Sequence, residues 1–286
     1  MVLILLSILS ILTLWFLITL WIDIKKQGEL EKGNIPAHSA IAIGIGFFDT
    51  LGIGGFAPMT AIFKQFKLVK DRIIPGTLNT AMTVPVIAEA MIFIKKVEVE
   101  PVTLITMLVA ATLGAIVGAG IVSRLDEKKV QLYMGLALLA VVVVMLAQQF
   151  NLIQGGGTAI GLTGIKLSIA VIGNFILGAL MTLGIGLYAP CMALVYTLGL
   201  NPLVAFPVMM GSCACLMPAA SVKFIKARAY HKKATIFNAI FGTIGVIVGA
   251  YLVTSVPLEI LTKVVIVVVL YTAIKLILDS KKKGQP

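Results

Sequence analysis

One stretch of the chain constrains its fold more than any other. Residues 44–58 read Gly-Ile-Gly-Phe-Phe-Asp-Thr-Leu-Gly-Ile-Gly-Gly-Phe-Ala-Pro, inside an apolar run from Ile41 to Phe63. Glycine and proline are poor residues for a helix interior, and an aspartate is costly in lipid. The stretch therefore predicts a helix that breaks partway through a membrane, leaving backbone groups free to hold a solute.

The composition is that of an integral membrane protein. Of the 286 residues, 59% are hydrophobic and only 12% are charged, whereas soluble domains have about 25% charged residues. The net charge of +11 comes from basic residues in short loops between apolar segments. It therefore indicates orientation by the positive-inside rule, and no nucleic-acid partner is predicted.

Nine apolar segments follow one another along the chain, and each is predicted to be helical. They lie at 2–22, 40–63, 73–94, 102–122, 130–149, 167–199, 203–222, 235–253 and 258–278. We predict three regions: an N-terminal transmembrane helix at 1–23, a first membrane repeat at 40–150 and a second at 167–279. The first helix is expected to be retained, because it has no cleavage pattern and is followed directly by lysines.

The two regions at 40–150 and 167–279 resemble each other. The glycine-rich pattern returns 132 positions later as Gly178-Ala-Leu-Met-Thr-Leu-Gly-Ile-Gly-Leu-Tyr-Ala-Pro190. Farther on, Gly114-Ala-Ile-Val-Gly118 matches Gly245-Val-Ile-Val-Gly249 at an offset of 131. This is the pattern of an internal duplication, which is common in transporters.

Two topologies fit the segments. If 40–63 and 167–199 each cross the membrane once, there are nine spans and the repeats are parallel. If each is a re-entrant hairpin, nearly all lysine and arginine residues fall on the cytoplasmic side, and the repeats are inverted. The charge rule favours the second topology, with the N-terminus outside and the C-terminus cytoplasmic. The predicted fold is thus all-α: two inverted repeats, each a broken or re-entrant helical hairpin plus three transmembrane helices, and one extra N-terminal helix.

Two acids fall inside apolar segments. Asp49 is either a coupling or gating acid, or a helix cap that holds the N–H of Leu51 or Gly52. Its counterpart in the second repeat is Met181, so its role is asymmetric. Glu89 either lines the pore or extends towards the lysines at the end of its segment, and the second alternative is favoured.

Backbone donors at the two breaks are predicted to bind an anion, because N–H groups at the start of a half-helix carry partial positive charge. Pro58 and Pro190 fit the first turn of each half-helix, where a missing N–H costs nothing. The alternative is that the glycines only allow close helix packing, and we accept it for Gly114/Gly118 and Gly245/Gly249. Hydroxyl and amide side chains would surround the anion, or would bond back to their own helices. The predicted substrate-binding set is Thr50, Gly52, Gly54, Gly55, Thr77, Asn79, Thr182, Gly184, Gly186 and Ser212.

Other reactive side chains carry weaker signals. Cys213 and Cys215, with Cys191 nearby, could exchange electrons, but buried cysteines most often act as small hydrophobes. His38 and His231 are expected to be solvated in cytoplasmic loops. No nucleotide-binding, metalloprotease or catalytic-triad motif occurs, so we predict neither an enzyme nor a cofactor or metal.

The order Gly-Phe-Phe-Asp-Thr-Leu-Gly-Ile-Gly-Gly-Phe-Ala-Pro at 46–58 resembles the signature of the sulfite exporter TauE/SafE family of permeases. The duplication and the Pro-Gly-Thr at 75–77 also look like that family, and the resemblance covers residues 40–279. It implies transport of small sulfur-containing or organic anions such as sulfite, sulfonates and carboxylates.

The sequence therefore predicts a secondary transporter in the cell membrane that works by alternating access. Its partners would be a small anionic solute, a coupling ion (proton or sodium) and lipid, and its oligomeric state is left open. Two alternatives remain: a membrane thiol–disulfide carrier using Cys213 and Cys215, and a scaffold protein with no solute path.

Overall fold

The computed structural model describes residues 2–27, 30–31, 35–52, 54–122, 127–150, 157–181, 186–255 and 257–281. In the described residues the regular elements are helices, joined by short connections, and there are no strands apart from an isolated bridge between Ala159 and Leu200. The helices are α1 (Val2–Gln27), α2 (Ile35–Thr50), α3 (Phe56–Gln65), α4 (Ile74–Lys96), α5 (Pro101–Val122), α6 (Glu127–Gln149), α7 (Gly164–Met181), α8 (Tyr188–Thr197), α9 (Ala205–Lys226), α10 (Lys232–Phe237), α11 (Thr243–Ser255) and α12 (Leu258–Lys281). In the residues that the structure describes, each of the nine apolar segments thus forms one or two helices.

The two segments rich in glycine and proline are each divided into two helices, as predicted. Segment 40–63 forms α2 and α3, and segment 167–199 forms α7 and α8. Helices α3 and α8 have 10 residues each, so each is about 15 Å long, half the thickness of a bilayer core of ~30 Å. Neither short helix can cross a membrane alone.

Several of the remaining helices are long enough to cross. Within the described residues, five segments have the length and apolar composition of a membrane span: Val2–Lys26, Ile74–Lys96, Gly164–Met181, Pro202–Lys226 and Lys232–Ser255. The last of these carries a π-helical turn at Asn238–Gly242 between α10 and α11. No sequence signal predicted that turn.

The chain divides into two compact units that are not the two sequence repeats. Unit 1 comprises Met1–Lys96 and Met210–Ser255, and unit 2 comprises Val97–Met209 and Val256–Pro286. In unit 1, α2 packs on α11 and on the π turn, and α4 packs on α10 and α11. In unit 2, α5 packs on α7, and α6 packs on α12. Each unit therefore combines helices from both halves of the sequence.

Glycines allow very close helix contact in unit 1. A Cβ atom on Gly46 of α2 would collide with the carbonyl oxygen of Gly242, and one on Gly245 of α11 would collide with the carbonyl oxygen of Ile43. Only glycine permits backbones to approach in this way. The packing role predicted for Gly245 is confirmed, and Gly249 of the same helix abuts Thr50.

Unit 2 contains the equivalent contacts. A Cβ on Gly178 of α7 would collide with the carbonyl oxygen of Ala111, and one on Gly114 of α5 would collide with that of Phe175. These four positions correspond to the four of unit 1 at the offsets of 132 and 131 found in the sequence. The duplication is therefore matched by equivalent internal contacts, and the packing role of Gly114 is confirmed.

These contacts predict a stability difference between two neighbouring glycines. Gly46→Ala is expected to lower the free energy of unfolding by about 1–3 kcal/mol, because the methyl group overfills a closed helix contact. Gly44→Ala is the matched control on the same helix, since a Cβ there meets nothing within 4 Å. Thermal unfolding in detergent checks this, and equal midpoints for the two variants would contradict it.

Candidate functional site

The break between α2 and α3 lies in unit 1 and is built by two glycines with positive φ. Gly52 has φ +87° and Gly54 has φ +83°, a region that side-chain-bearing residues rarely adopt. The Gly52 N–H donates to the Asp49 carbonyl oxygen at 2.8 Å, which closes a turn at the end of α2. A Cβ on Gly54 would meet nothing within 4 Å, so open space adjoins the break.

The Asp49 side chain bridges the break. Its exposed fraction is 2%, and its Oδ1 accepts the Gly55 N–H, one residue before α3 begins. The prediction that the Asp49 side chain caps the N–H of Leu51 or Gly52 is therefore wrong. Asp49 caps the start of α3 instead, because the turns at Gly52 and Gly54 bring the start of α3 back to the end of α2. Its other oxygen, Oδ2, is buried and has no hydrogen-bond partner within the described residues.

Glu89 lies beside this bridge. The Glu89 side chain is fully buried on α4, its Oε1 is 2.8 Å from the Thr50 hydroxyl, and it interacts with the Asp49 carboxyl. The favoured expectation, that Glu89 extends towards the terminal lysines, is wrong because α2 packs against its position on α4. The structure thus brings three predicted residues, Asp49, Thr50 and Glu89, into one buried cluster.

Two other predicted residues on α4 are elsewhere. The Thr77 hydroxyl donates to the Ile73 carbonyl oxygen at 2.8 Å and accepts the His231 N–H at 3.0 Å. The Asn79 side chain donates to the Pro75 carbonyl oxygen at 3.0 Å. They precede Glu89 by twelve and ten residues, which places them about 15–18 Å away along the helix. Both satisfy backbone groups near the start of α4. Ser212 is buried in α9.

The second break lies in unit 2 between the end of α7 and the start of α8. Thr182 and Gly184 fall outside the described residues. Gly186 borders open space, since a Cβ there would meet nothing within 4 Å. Pro190 is the third residue of α8, as Pro58 is the third residue of α3.

The two short helices differ in how they begin. The N-cap of α8 is Leu187, which makes no side-chain hydrogen bond, whereas α3 receives the carboxylate of Asp49. This difference follows from the sequence, where Met181 stands in the position equivalent to Asp49. A carboxylate at a break is therefore a feature of the first half of the chain.

A polar cluster at the start of α10 was not predicted. Glu31 accepts the N–H groups of Lys232 and Lys233, both at 3.0 Å, and His231 Nδ1 accepts the Ala234 N–H at 3.1 Å. The His38 and His231 rings are 6.1 Å apart. Both histidines are buried, so the expectation that they are solvated is wrong. No spacing in the sequence indicates that residues 31, 38 and 231 meet.

The three residues of this cluster lie outside the apolar segments, and their surroundings shift their pKa values. Burial lowers the pKa of His38, and the nearby positive charges of His231 and Lys233 lower it further. Burial also lowers the pKa of His231, although Glu31 opposes the shift. The pKa of Glu31 is raised by burial, but the N–H groups that it accepts outweigh that effect and lower it overall.

These shifts predict that acid destabilises the protein. Below about pH 6.5 the histidines of the unfolded chain take up protons. In the folded chain their lowered pKa values keep them neutral, so the free energy of unfolding falls as the pH drops from 7 to 5. We expect the unfolding midpoint to fall by about 2–4 °C over that range, and His38→Asn to flatten the slope. Thermal unfolding at pH 7.5, 6.0 and 5.0 tests this. An unchanged midpoint in wild-type protein would contradict it.

Cys213 and Cys215 do not face each other. Cys213 and Cys215 are two residues apart on the continuous helix α9, so their side chains lie on different sides of it. None of the three cysteines, all of which lie in the described residues, is in a disulfide bond. In the part of the chain that the structure describes, no group of three or more histidine, cysteine or acidic residues could hold a metal ion.

Comparison with known proteins places the site in a family. The model of the sulfite exporter TauE/SafE family matches residues 1–146, which run from α1 to α6 and include the first break. The match takes in the N-terminal helix, which the sequence resemblance had left out. Searches of curated proteins and of solved structures found no match. With its apolar helices and this match over half its length, the chain is a multi-pass membrane protein that belongs to the sulfite exporter TauE/SafE family.

Proposed function

We propose that this protein is a secondary transporter that moves small sulfur-containing or organic anions, of the sulfite, sulfonate or carboxylate type, across the cell membrane. The observation that carries the proposal is the break between α2 and α3. It combines a half-length helix, a glycine (Gly54) beside open space and a buried acid, within the part of the chain matched by the family. A buried acid at membrane depth is costly, and such acids usually mark a substrate or ion pathway.

The chemistry of the break favours an anion. The first-turn N–H groups of α3 point away from their own helix and carry partial positive charge. Pro58 contributes no N–H, so the donors at this end are those of residues 55–57. Gly52 and Gly54 shape the approach by their positive φ. The N-terminus of α8, with Gly186 and Pro190, would offer a similar set of donors.

Alternating access driven by an ion gradient is part of the same proposal. The inverted repeats that the charge distribution predicts would support it, because such repeats supply two equivalent conformations related by exchange of the halves. The equivalent glycine contacts in the two units agree with a duplicated design. The distribution of lysine and arginine supports an external N-terminus and a cytoplasmic C-terminus.

Flux in proteoliposomes tests the proposal. Purified protein should accumulate or release labelled sulfite, methanesulfonate or a small carboxylate under an imposed ion gradient, above the rate of protein-free liposomes. A variant with Cys191, Cys213 and Cys215 replaced by alanine should keep this flux. If a broad anion panel gives no flux, the proposal fails, and loss of flux in the cysteine-free variant would favour the thiol–disulfide carrier.

A further inference from the structure

We infer that Asp49 is an internal competitor of the transported anion, and that a proton on Asp49 releases the Gly55 amide for the anion. The inference rests on the proposed function and names the coupling ion and its mechanism. It predicts that one proton and one anion bind together at the break between α2 and α3.

The competition follows from which groups are already occupied. The Gly55 N–H is the first donor of α3, and the Asp49 carboxylate accepts it. The Gly52 N–H is also occupied, by the Asp49 carbonyl oxygen. An anion that takes the Gly55 N–H, beside those of residues 56 and 57, must therefore displace a carboxylate of the protein. A protonated carboxyl is a much weaker acceptor than a carboxylate, so a proton weakens the competitor.

A second observation points to a proton at this site. Asp49 Oδ2 is buried without a hydrogen-bond partner among the described residues, and an ionised carboxylate oxygen left without a donor in a buried place is unfavourable. A proton on Oδ2 removes the charge while leaving the helix break intact. The unpartnered oxygen is thus the natural place for the coupling proton.

Glu89 and Thr50 are arranged to deliver that proton. The Thr50 hydroxyl has one hydrogen but two oxygen neighbours, the Gly46 carbonyl at 2.8 Å and Glu89 Oε1 at 2.8 Å. Both contacts are satisfied when Glu89 carries a proton and donates to the Thr50 oxygen, while Thr50 donates to Gly46. In the proposed cycle Glu89 then passes its proton to Asp49, and a proton from solution replaces it.

The charged groups around α2 support a carboxyl pair rather than an ion pair. The elements packed on α2 are α10, the π turn and α11, and α4 contacts α2 through the pair Glu89 and Thr50. Their titratable residues are Glu89, Lys95, Lys96, Lys232, Lys233 and Tyr251. Lys96 contacts Thr254 and the Tyr251 ring, Lys95 is exposed, and the backbones of Lys232 and Lys233 bind Glu31. Of these groups, Glu89 is the one that interacts with Asp49.

The proton balance of the cycle is simple. In the resting state Asp49 is ionised and holds the Gly55 N–H. One proton from solution neutralises the carboxyl pair, and one anion takes the Gly55 N–H. Net uptake is one proton for each anion, so transport of a monoanion is electrically neutral and both species move in the same direction.

Binding of methanesulfonate to purified protein in detergent tests the inference, because this anion keeps its charge between pH 5 and 8. Wild-type affinity should rise by up to about tenfold for each unit of falling pH over part of this range, as expected for one linked proton. A pH indicator in weak buffer should report uptake of about one proton for each anion bound at the alkaline end. Asp49→Asn should bind at pH 8 nearly as tightly as wild-type protein at pH 5, with a flat pH profile. Glu98→Gln, at an exposed position, is the control and should behave like wild-type protein.

Three results would overturn the inference. The first is wild-type binding that does not depend on pH or that follows sodium instead. The second is methanesulfonate binding without proton uptake. The third is complete loss of binding in Asp49→Asn at every pH, which would make Asp49 a required ligand. In each case anion binding by wild-type protein would leave the proposed function standing, whereas no binding of any anion by wild-type protein or variant would count against both.

Discussion

Glu89→Ala is expected to reduce proton-driven anion accumulation by about 10- to 100-fold, the factor that corresponds to losing a hydrogen bond to a buried charged group. Alanine removes the acid that we infer supplies the proton to Asp49, and it leaves the Thr50 hydroxyl without an acid beside it. Accumulation in proteoliposomes under an acid-outside gradient measures the effect. Because the acid is fully buried, its removal also leaves a cavity, so folding must be checked by gel filtration and thermal unfolding.

Glu89→Gln separates the proton role from the structural role. Its amide can donate to Thr50 as a protonated glutamate would, but it cannot give up a proton. We expect the glutamine variant to fold and to exchange labelled for unlabelled anion across the membrane, yet to fail to accumulate anion under a proton gradient. Normal accumulation by either variant would show that Glu89 plays no part in coupling.

Gly54→Val is expected to abolish transport, and the cause would be a change in backbone conformation. Gly54 has φ +83° and open space around its Cβ position, so the Cβ of valine meets no neighbour, but the residue must adopt a strained conformation that costs about 1–3 kcal/mol. Relief of that strain turns the Gly55 N–H away from Asp49 and closes the break. Flux and the unfolding midpoint should both fall.

Gly54→Asn is the matched control, because asparagine tolerates positive φ far better than a β-branched residue. It should keep most of the flux and most of the stability. If the valine and asparagine variants were equally active, the positive φ at this position would have no functional importance. If both were inactive, the open space beside Gly54 would be the feature that transport requires.

The helical architecture was predictable because its signals are local. Hydrophobic length defines each segment, and the clusters of glycine with proline mark the two breaks, since these residues disfavour a continuous helix over a few positions. The duplication was visible in the sequence because the same close backbone contacts require glycine in both halves of the chain, at Gly46 and Gly178 and at Gly114 and Gly245.

The candidate site was only partly predictable. Asp49 and Thr50 were found because an acid and a hydroxyl stand out next to the glycines, but the partner of the carboxylate, Gly55, depends on how the chain turns through Gly52 and Gly54. The position of Glu89 depends on which face of α4 meets α2, and a helix of nearly uniform hydropathy does not reveal that face. The Glu31 and histidine cluster joins residues about 200 positions apart, so no local pattern could predict it.

Labelling of a cysteine at the break tests the central claim most directly. Leu51→Cys, in a background with the three native cysteines replaced by alanine, places a thiol at a half-buried position next to Gly52. Leu14→Cys, on an exposed apolar face of α1, is the control for a lipid-facing site. We predict that a membrane-impermeant maleimide labels the protein at position 51 but not at position 14, and that sulfite or methanesulfonate slows the labelling. An unreactive thiol at position 51, or a labelling rate that no anion changes, would contradict the claim that this break is an anion site open to water.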